Sequence, residues 1–268
     1  MTTTLKRIAV EPGVSLQVRV SGTPGKPALL LSNSLTADLS TWDEVETRLA
    51  PHAFIIGYDT RGHGRSDAPG EGYTLGRLGA DAIAILDALS IPKAVVCGLS
   101  LGGLTAMWLG AHVPDRVAGL VLANTAANFP PPGMWEERAR AALERGLAPF
   151  VAPALERWFT AGFRAAAPER VAQIARVIGA TSPAGYAGCC RILAHADVGP
   201  DLAAIACPTL VIAGTHDPST PPARAEEICA GIAGAELVCL DAAHLSAVEA
   251  PEAFAAAVQD FLLRTRAD

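Results

Sequence analysis

The stretch Gly98-Leu99-Ser100-Leu101-Gly102 fits the pattern G-x-S-x-G, after the apolar run Ala94 to Cys97 and before a helix-like stretch from Leu101 to His112. A serine between two glycines at a strand-to-helix turn is how a nucleophile is held on a strained elbow with its hydroxyl exposed. The turn is expected to bring the residues two before and two after the serine together, so side chains at those two positions would collide. Such a serine attacks carbonyl carbons. Its hydroxyl is a weak nucleophile until a base takes the proton and an acid orients that base.

Both partners stand in suitable places, in the chain order serine, acid, histidine. Asp217 closes Gly214-Thr215-His216-Asp217, just past an apolar run ending near Ala213. His244 closes Asp241-Ala242-Ala243-His244, just past another ending near Leu240. Ser100 is therefore the expected nucleophile, His244 the general base and then acid, and Asp217 the group that fixes the imidazole tautomer. Asn124 follows a strand-like run where an acid could also stand, but an amide cannot serve as one. Asp241 is expected on the wrong side of its loop and His216 to point elsewhere. Arg61 and His63, in the Gly-rich loop Asp59 to Ser66, read as structural.

The oxyanion of a tetrahedral intermediate needs backbone donors. One is expected from the N–H of Leu101, directly after the nucleophile. The other should come from the loop Ser32-Asn33-Ser34-Leu35-Thr36, ahead of Trp42. Many hydrolases with this layout carry His-Gly there. Counted back from Trp42, Asn33-Ser34 takes that place, and the N–H of Leu35 is the expected donor. No His-x-x-x-His or paired-carboxylate spacing points to a metal, and no G-x-G-x-x-G fingerprint points to a dinucleotide, so no cofactor is expected.

These groups need strands to carry them. Leu5 to Val10, Ser15 to Val20 and Ala28 to Ser32 read as strands, as do Ala53 to Tyr58, Ala94 to Cys97 and Val117 to Ala123. Helical spacing runs through Leu75 to Leu89 and Leu101 to His112. Alternation of short apolar runs with helices predicts a parallel sheet buried on both faces. Pro130-Pro131-Pro132-Gly133 then breaks the pattern, and Met134 to about Ala196 is Ala- and Arg-rich with helical spacing only. The alternation resumes at Thr209 to Gly214, Ala223 to Ile232, Ala235 to Leu240 and Pro251 to Leu263. The expected architecture is an α/β fold: a mostly parallel central sheet flanked by helices, from 1–127 and 197–268, with a helical cap over 128–196. Such a cap would lie over the carboxyl ends of the strands, where ligands bind in these sheets.

The chain has 268 residues, half of them hydrophobic and 18% charged, which fits a globular chain of one α/β domain with an insertion. A net charge of −6 argues against nucleic acid or an anionic membrane surface as the main partner, and means that an anionic substrate needs a local cation. No apolar run is long enough to span a bilayer, and the first ten residues lack the apolar segment of a secretion signal. The six cysteines show no C-x-x-C pair and mostly apolar surroundings, so buried free thiols in a cytoplasmic protein are expected.

The chain resembles the α/β-hydrolase fold along its whole length. More narrowly it resembles the 3-oxoadipate enol-lactonases of bacterial aromatic catabolism. The stretches that carry this are LSNSLTADLSTW (31–42), YDTRGHGRSDAP (58–69), CGLSLGGLTAMWLG (97–110), LVLANTAA (120–127), RWFT (157–160), LVIAGTHDPSTPP (210–222) and LDAAHLSAVEA (240–250). YDTRGHGRSD is shared widely across the fold; the Ser-Asn-Ser loop, NTAA and the GTHD and DAAHLS pair are more specific. The resemblance implies hydrolysis of a small anionic enol-lactone to 3-oxoadipate and carries Ser100, Asp217 and His244 onto the roles of nucleophile, acid and base. The family tends to have Met after the nucleophile, where this chain has Leu101, a swap that leaves the backbone N–H in place. It also tends to carry an arginine just after NTAA, where this chain has Asn128. If that arginine meets the substrate carboxylate, another cation must act here. Arg138 is the leading candidate, followed by Arg164 and Arg191, with Trp135 and Trp158 as candidate pocket walls.

The same three residues could serve a carboxylesterase, a cofactor-free haloperoxidase-like enzyme or a C–C bond hydrolase. A ligand receptor on a hydrolase scaffold is the rival of a different class. Ser100 stands against haloalkane dehalogenase and epoxide hydrolase chemistry, which on this fold use a carboxylate nucleophile.

Overall fold

A computed structural model describes residues 3–265, so the outermost residues of the expected core, 1–2 and 266–268, lie outside the described part. The strands are β1 (Thr4–Glu11), β2 (Val14–Gly22), β3 (Ala28–Ser32), β4 (Phe54–Tyr58), β5 (Ala94–Leu99), β6 (Val117–Ala123), β7 (Thr209–Gly214) and β8 (Glu236–Leu240). They form one sheet in the order β1-β2-β4-β3-β5-β6-β7-β8. The β1–β2 and β2–β4 pairs are antiparallel, and every pairing from β4 through β3 to β8 is parallel.

The helices are α1 (Asp43–Leu49), α2 (Leu75–Ala88), α3 (Leu101–His112), α4 (Pro132–Arg145), α5 (Ala148–Trp158), α6 (Ala161–Ala166), α7 (Pro168–Ala180), α8 (Pro183–His195), α9 (Pro222–Gly231), α10 (Ser246–Glu249) and α11 (Pro251–Arg264). Five of them, α4 to α8, stand between β6 and β7 with no intervening strand. Proline opens α4, α7, α8, α9 and α11 within their first two positions, where its missing N–H has no partner to lose. The sequence reading missed α1 and α10, which are too short for a periodic signal to accumulate.

Side-chain alternation along the strands splits the core in two. Leu30, Ile56, Val96, Leu120, Leu122 and Val211 face α2, α3 and α9, joined by Leu78, Ile85, Leu104, Met107 and Ile228. Leu29, Leu31, Ile55, Val95, Val121 and Ile212 face α1 and α11, joined by Val45, Leu49, Phe254, Val258 and Phe261. Burying both faces is why these strands read as continuous apolar runs, each such side chain contributing about 1.5–3 kcal/mol.

The loop after β4 is fixed by charge. Arg61, fully buried, makes two bonds to Asp81 of α2, at 2.6 and 2.7 Å, and one to Glu11 at 2.9 Å. His63 is buried beside it. Both residues hold the loop, in keeping with their structural reading, and neither borders the pocket that contains Ser100. The cysteines divide: Cys97, Cys189 and Cys190 are buried free thiols, whereas Cys207 and Cys229 are half-buried and Cys239 is exposed. The expectation of mostly buried thiols thus holds for the central strand β5 and for α8. It fails on the outer layer, where β8 is an edge strand with one open side. Among the described residues no helix is long and apolar enough to cross a membrane, and no group of three or more His, Cys, Asp or Glu is placed to hold a metal.

Candidate active site

The carboxyl ends of β3, β5, β6, β7 and β8 carry Ser32, Ser100, Asn124, Asp217 and His244 to one edge of the sheet. Ser100 has φ 57° and ψ −113°, a backbone conformation that costs on the order of 1–3 kcal/mol for a residue with a side chain. Three bonds hold it there. Its N–H donates to Ala123 O at 2.9 Å, and its carbonyl accepts from Leu104 N at 3.0 Å and from Thr125 Oγ1 at 2.7 Å.

One of the two glycines acts as expected and the other does not. A Cβ on Gly98 would fall 2.1 Å from the carbonyl oxygen of Gly102, the collision anticipated from the turn. A Cβ on Gly102 would instead strike Ser32 O, also at 2.1 Å. The second glycine therefore lets α3 approach the end of β3, which a turn considered alone does not reveal. That contact sets the loop from Ser32 to Thr36 beside the elbow. Within this loop Ser32 Oγ bonds Tyr58 Oη at 2.8 Å, and Asn33 donates to Tyr58 O at 2.8 Å and accepts from Trp42 Nε1. Ser32 and Asn33 anchor the loop from below, and only Ser34 and Leu35 reach the pocket. Among the described residues, neither the Leu35 nor the Leu101 backbone N–H donates to a protein acceptor.

Asp217 and His244 stand within hydrogen-bond distance of each other. His244 Nδ1 lies 2.8 Å from Asp217 Oδ2. A carboxylate offers only lone pairs here, so the His244 nitrogen that faces it, Nδ1, is the one that donates a proton. Asp217 also accepts from Asn124 Nδ2 (3.0 Å), Thr220 Oγ1 (2.6 Å), Thr220 N (3.1 Å) and Ser219 N (2.8 Å). Burial pushes its carboxyl up, but the His244 charge and these hydrogen bonds outweigh burial and hold it below the usual carboxylate range. His216 pairs with Asp241 at 2.8 Å on the exposed surface, away from this cluster.

Ser100 and His244 open on a cavity of about 270 Å³, at the small end of ligand pockets. Leu35, Trp135, Arg138 and Trp158 line it, as do Phe129, Met134 and Arg157. Leu101 is buried and is not among the residues that line the cavity. The ring centroid of Trp158 lies 6.3 Å from that of His244, and Leu245 N donates to Trp158 O at 3.1 Å. Glu249 joins the same two segments. Its carboxylate accepts from Ala243 N at 2.9 Å, from Thr160 N at 3.1 Å and from the Thr160 hydroxyl.

Of the three candidate cations, one reaches the cavity. Arg138 donates Nε–H to Tyr186 Oη at 2.8 Å, and its guanidinium stands 4.8 Å from the Trp135 ring centroid. Arg164 does not take part. It lies past the end of α5, where it caps the carbonyls of Glu156 and Phe159. Arg191 is also excluded, facing Glu136 at 3.8 Å on the exposed side of α8. Asn128 does not line the cavity; it is held by Arg224, which bonds its side-chain oxygen at 2.6 Å and its carbonyl at 2.8 Å. The sequence reading missed Arg157, although it directly precedes Trp158 in the stretch RWFT. It also missed the support that Asn124, Thr220 and Glu249 give to the Asp217–His244 pair.

A family model described as alpha/beta hydrolase fold matches residues 27–251. The 3-oxoadipate enol-lactonase 2 of Acinetobacter baylyi is 43% identical over 251 residues, 94% of either chain. The 3-oxoadipate enol-lactonase 1 of the same organism is 41% identical over 242 residues, 90% of this chain and 91% of the relative. The crystal structure of the enol-lactonase from Burkholderia xenovorans LB400 superposes with a TM-score of 0.93 at 41% identity, over 96% of this chain and 99% of that one.

Proposed function

The chain belongs to the α/β-hydrolase fold family, and we propose that it is a serine hydrolase opening 3-oxoadipate enol-lactone to 3-oxoadipate. The observation that carries this reading is one small cavity lined by Ser100 and His244 and also by Arg138, which has no carboxylate partner among the described residues. The enol-lactone is a small ring with one carboxylate, and that pairing of groups suits it.

The mechanism follows from the groups in place. His244 Nε2 takes the Ser100 proton as Oγ adds to the lactone carbonyl. Asp217 stabilises the imidazolium through Nδ1–H. The N–H groups of Leu35 and Leu101 receive the oxyanion, each such donor being worth about 3 kcal/mol. Collapse expels the ring oxygen as an enolate, a good leaving group that becomes the ketone on protonation. Water activated by His244 then releases the acid from Ser100. Arg138 holds the carboxylate, with Trp135 and Trp158 as apolar walls.

In this reading 128–196 is a cap closing the site over a core of 1–127 and 197–268. The partner is a small anionic lactone, not nucleic acid or a membrane, consistent with a net charge of −6. The free cysteines fit the cytoplasm.

The test is a spectrophotometric assay with the enol-lactone beside neutral p-nitrophenyl esters. The lactone should be hydrolysed far better, and a fluorophosphonate should label wild type but not Ser100→Ala. Preference for the neutral esters would point to a general carboxylesterase, and absence of labelling to a receptor.

A further inference from the structure

Two guanidiniums line a pocket whose proposed substrate has one carboxylate. Arg138 is held by neutral groups, the Tyr186 hydroxyl and the Trp135 ring, so its charge is not compensated by them. Arg157, from the last turn of α5, lines the same cavity. Burial, and then the nearby charge of Arg138, hold the Arg157 guanidinium below its ordinary range. Neither pairs with a carboxylate among the described residues. Two like charges beside a small cavity oppose each other unless an anion shares them, so this wall favours a ligand that ends in a carboxylate.

In the lactonase reading, on which this inference rests, opening the ring does not release the leaving group, because the enolate oxygen and the acyl carbon belong to one chain. The acyl-enzyme is therefore a linear six-carbon group, esterified to Ser100 Oγ at one end and ionised at the other. Deacylation involves only that chain. Any ester that delivers such a chain joins the same cycle at the same kind of intermediate.

We propose that this protein also hydrolyses hemiesters of six-carbon dicarboxylic acids, with Arg138 and Arg157 sharing the distal carboxylate and so selecting chain length. The bond from Ser100 Oγ to the acyl carbon forms as the bond to the alcohol or phenol oxygen breaks. His244 carries the Ser100 proton to that leaving oxygen. Water then cleaves the acyl–Ser100 bond, so one water is consumed and one diacid and one alcohol are released. An untethered leaving group needs an exit, and the rim provides one at the exposed residues Met134, Pro218 and Ser219.

The experiment compares kcat/KM for the p-nitrophenyl hemiesters of succinate, adipate and suberate with that for p-nitrophenyl hexanoate, with the enol-lactone assayed in parallel. The hemiadipate should exceed the hexanoate by at least about tenfold and exceed the shorter and longer hemiesters. Arg157→Gln should lower the hemiadipate-to-hexanoate ratio by about tenfold, and Arg157→Lys should restore part of it. Because the ratio is taken within one variant, a partly folded variant does not mimic the effect. A hexanoate rate equal to or above the hemiadipate rate, or no optimum at six carbons, would overturn the proposal even if the lactone is opened. A six-carbon optimum without lactone opening would instead sink the lactonase reading and leave this one standing.

Discussion

Asn124 donates its side-chain amide to Asp217 Oδ2 at 3.0 Å from the position directly after β6, and to Ala243 O, one residue before His244, at 3.2 Å. One amide thus holds both Asp217 and the loop that carries His244. Its own oxygen accepts from the Ser246 hydroxyl.

Asn124→Asp should therefore alter the titration of the site. It would set a second carboxyl about 3 Å from Asp217, where two carboxylates cannot both stay ionised, so the two would share a proton and Asp217 would be protonated at higher pH than in wild type. The acidic limb of the pH–kcat/KM profile should move to higher pH by about one unit, with a lower plateau. An unmoved limb would show that Asn124 does not bear on the pair.

Gly102→Ala should destabilise the fold by about 1–3 kcal/mol and depress kcat, since its Cβ meets the backbone oxygen of Ser32, which cannot rotate away. Gly133→Ala is the control. Its Cβ meets nothing within 4 Å, and alanine in the first turn of α4 should be neutral or stabilising by up to about 1 kcal/mol. Urea midpoints of the two variants check the contrast.

Glu249→Gln replaces a carboxylate that accepts from Ala243 and Thr160 with an amide that turns an N–H toward one of those donors. The variant should lose about 1–3 kcal/mol of stability. It should also lower kcat and raise KM for the lactone together, because the Ala243 and Thr160 segments carry His244 on one side and Arg157 and Trp158 on the other. A stability loss with unchanged kinetic constants would limit Glu249 to holding the fold.

Acid sensitivity should trace in part to His63. Burial pushes its imidazole down to about 4, against about 6.5 in the unfolded chain. As pH falls from 6.5 to 4 the unfolded chain takes up a proton that the native state refuses, so stability drops, by on the order of 3 kcal/mol at most. Asp59 acts oppositely. Burial pushes it up to about 6, so between pH 6 and 4 the native state gains the proton first and stability rises. His63→Asn removes the first contribution and leaves the second. Its urea midpoint should fall less than that of wild type between pH 7 and pH 4.5; parallel decline in both would place the acid sensitivity elsewhere.

The sequence alone determined the alternation of strands and helices, the helical stretch between β6 and β7, and the order and strand-end placement of Ser100, Asp217 and His244. Those features depend on near neighbours: apolar periodicity, glycine at a turn, proline at a helix start. The tertiary structure decided which of three arginines reaches the pocket, and it added Arg157. It also showed that Gly102 makes room for Ser32 rather than for Gly98, and that Asn124 and Glu249 brace the pair. Each of these joins segments dozens of residues apart, as Gly102 joins β3 and Glu249 joins α10 to Thr160. Their side chains meet only through the packing of whole elements, and no local pattern in the chain records that packing.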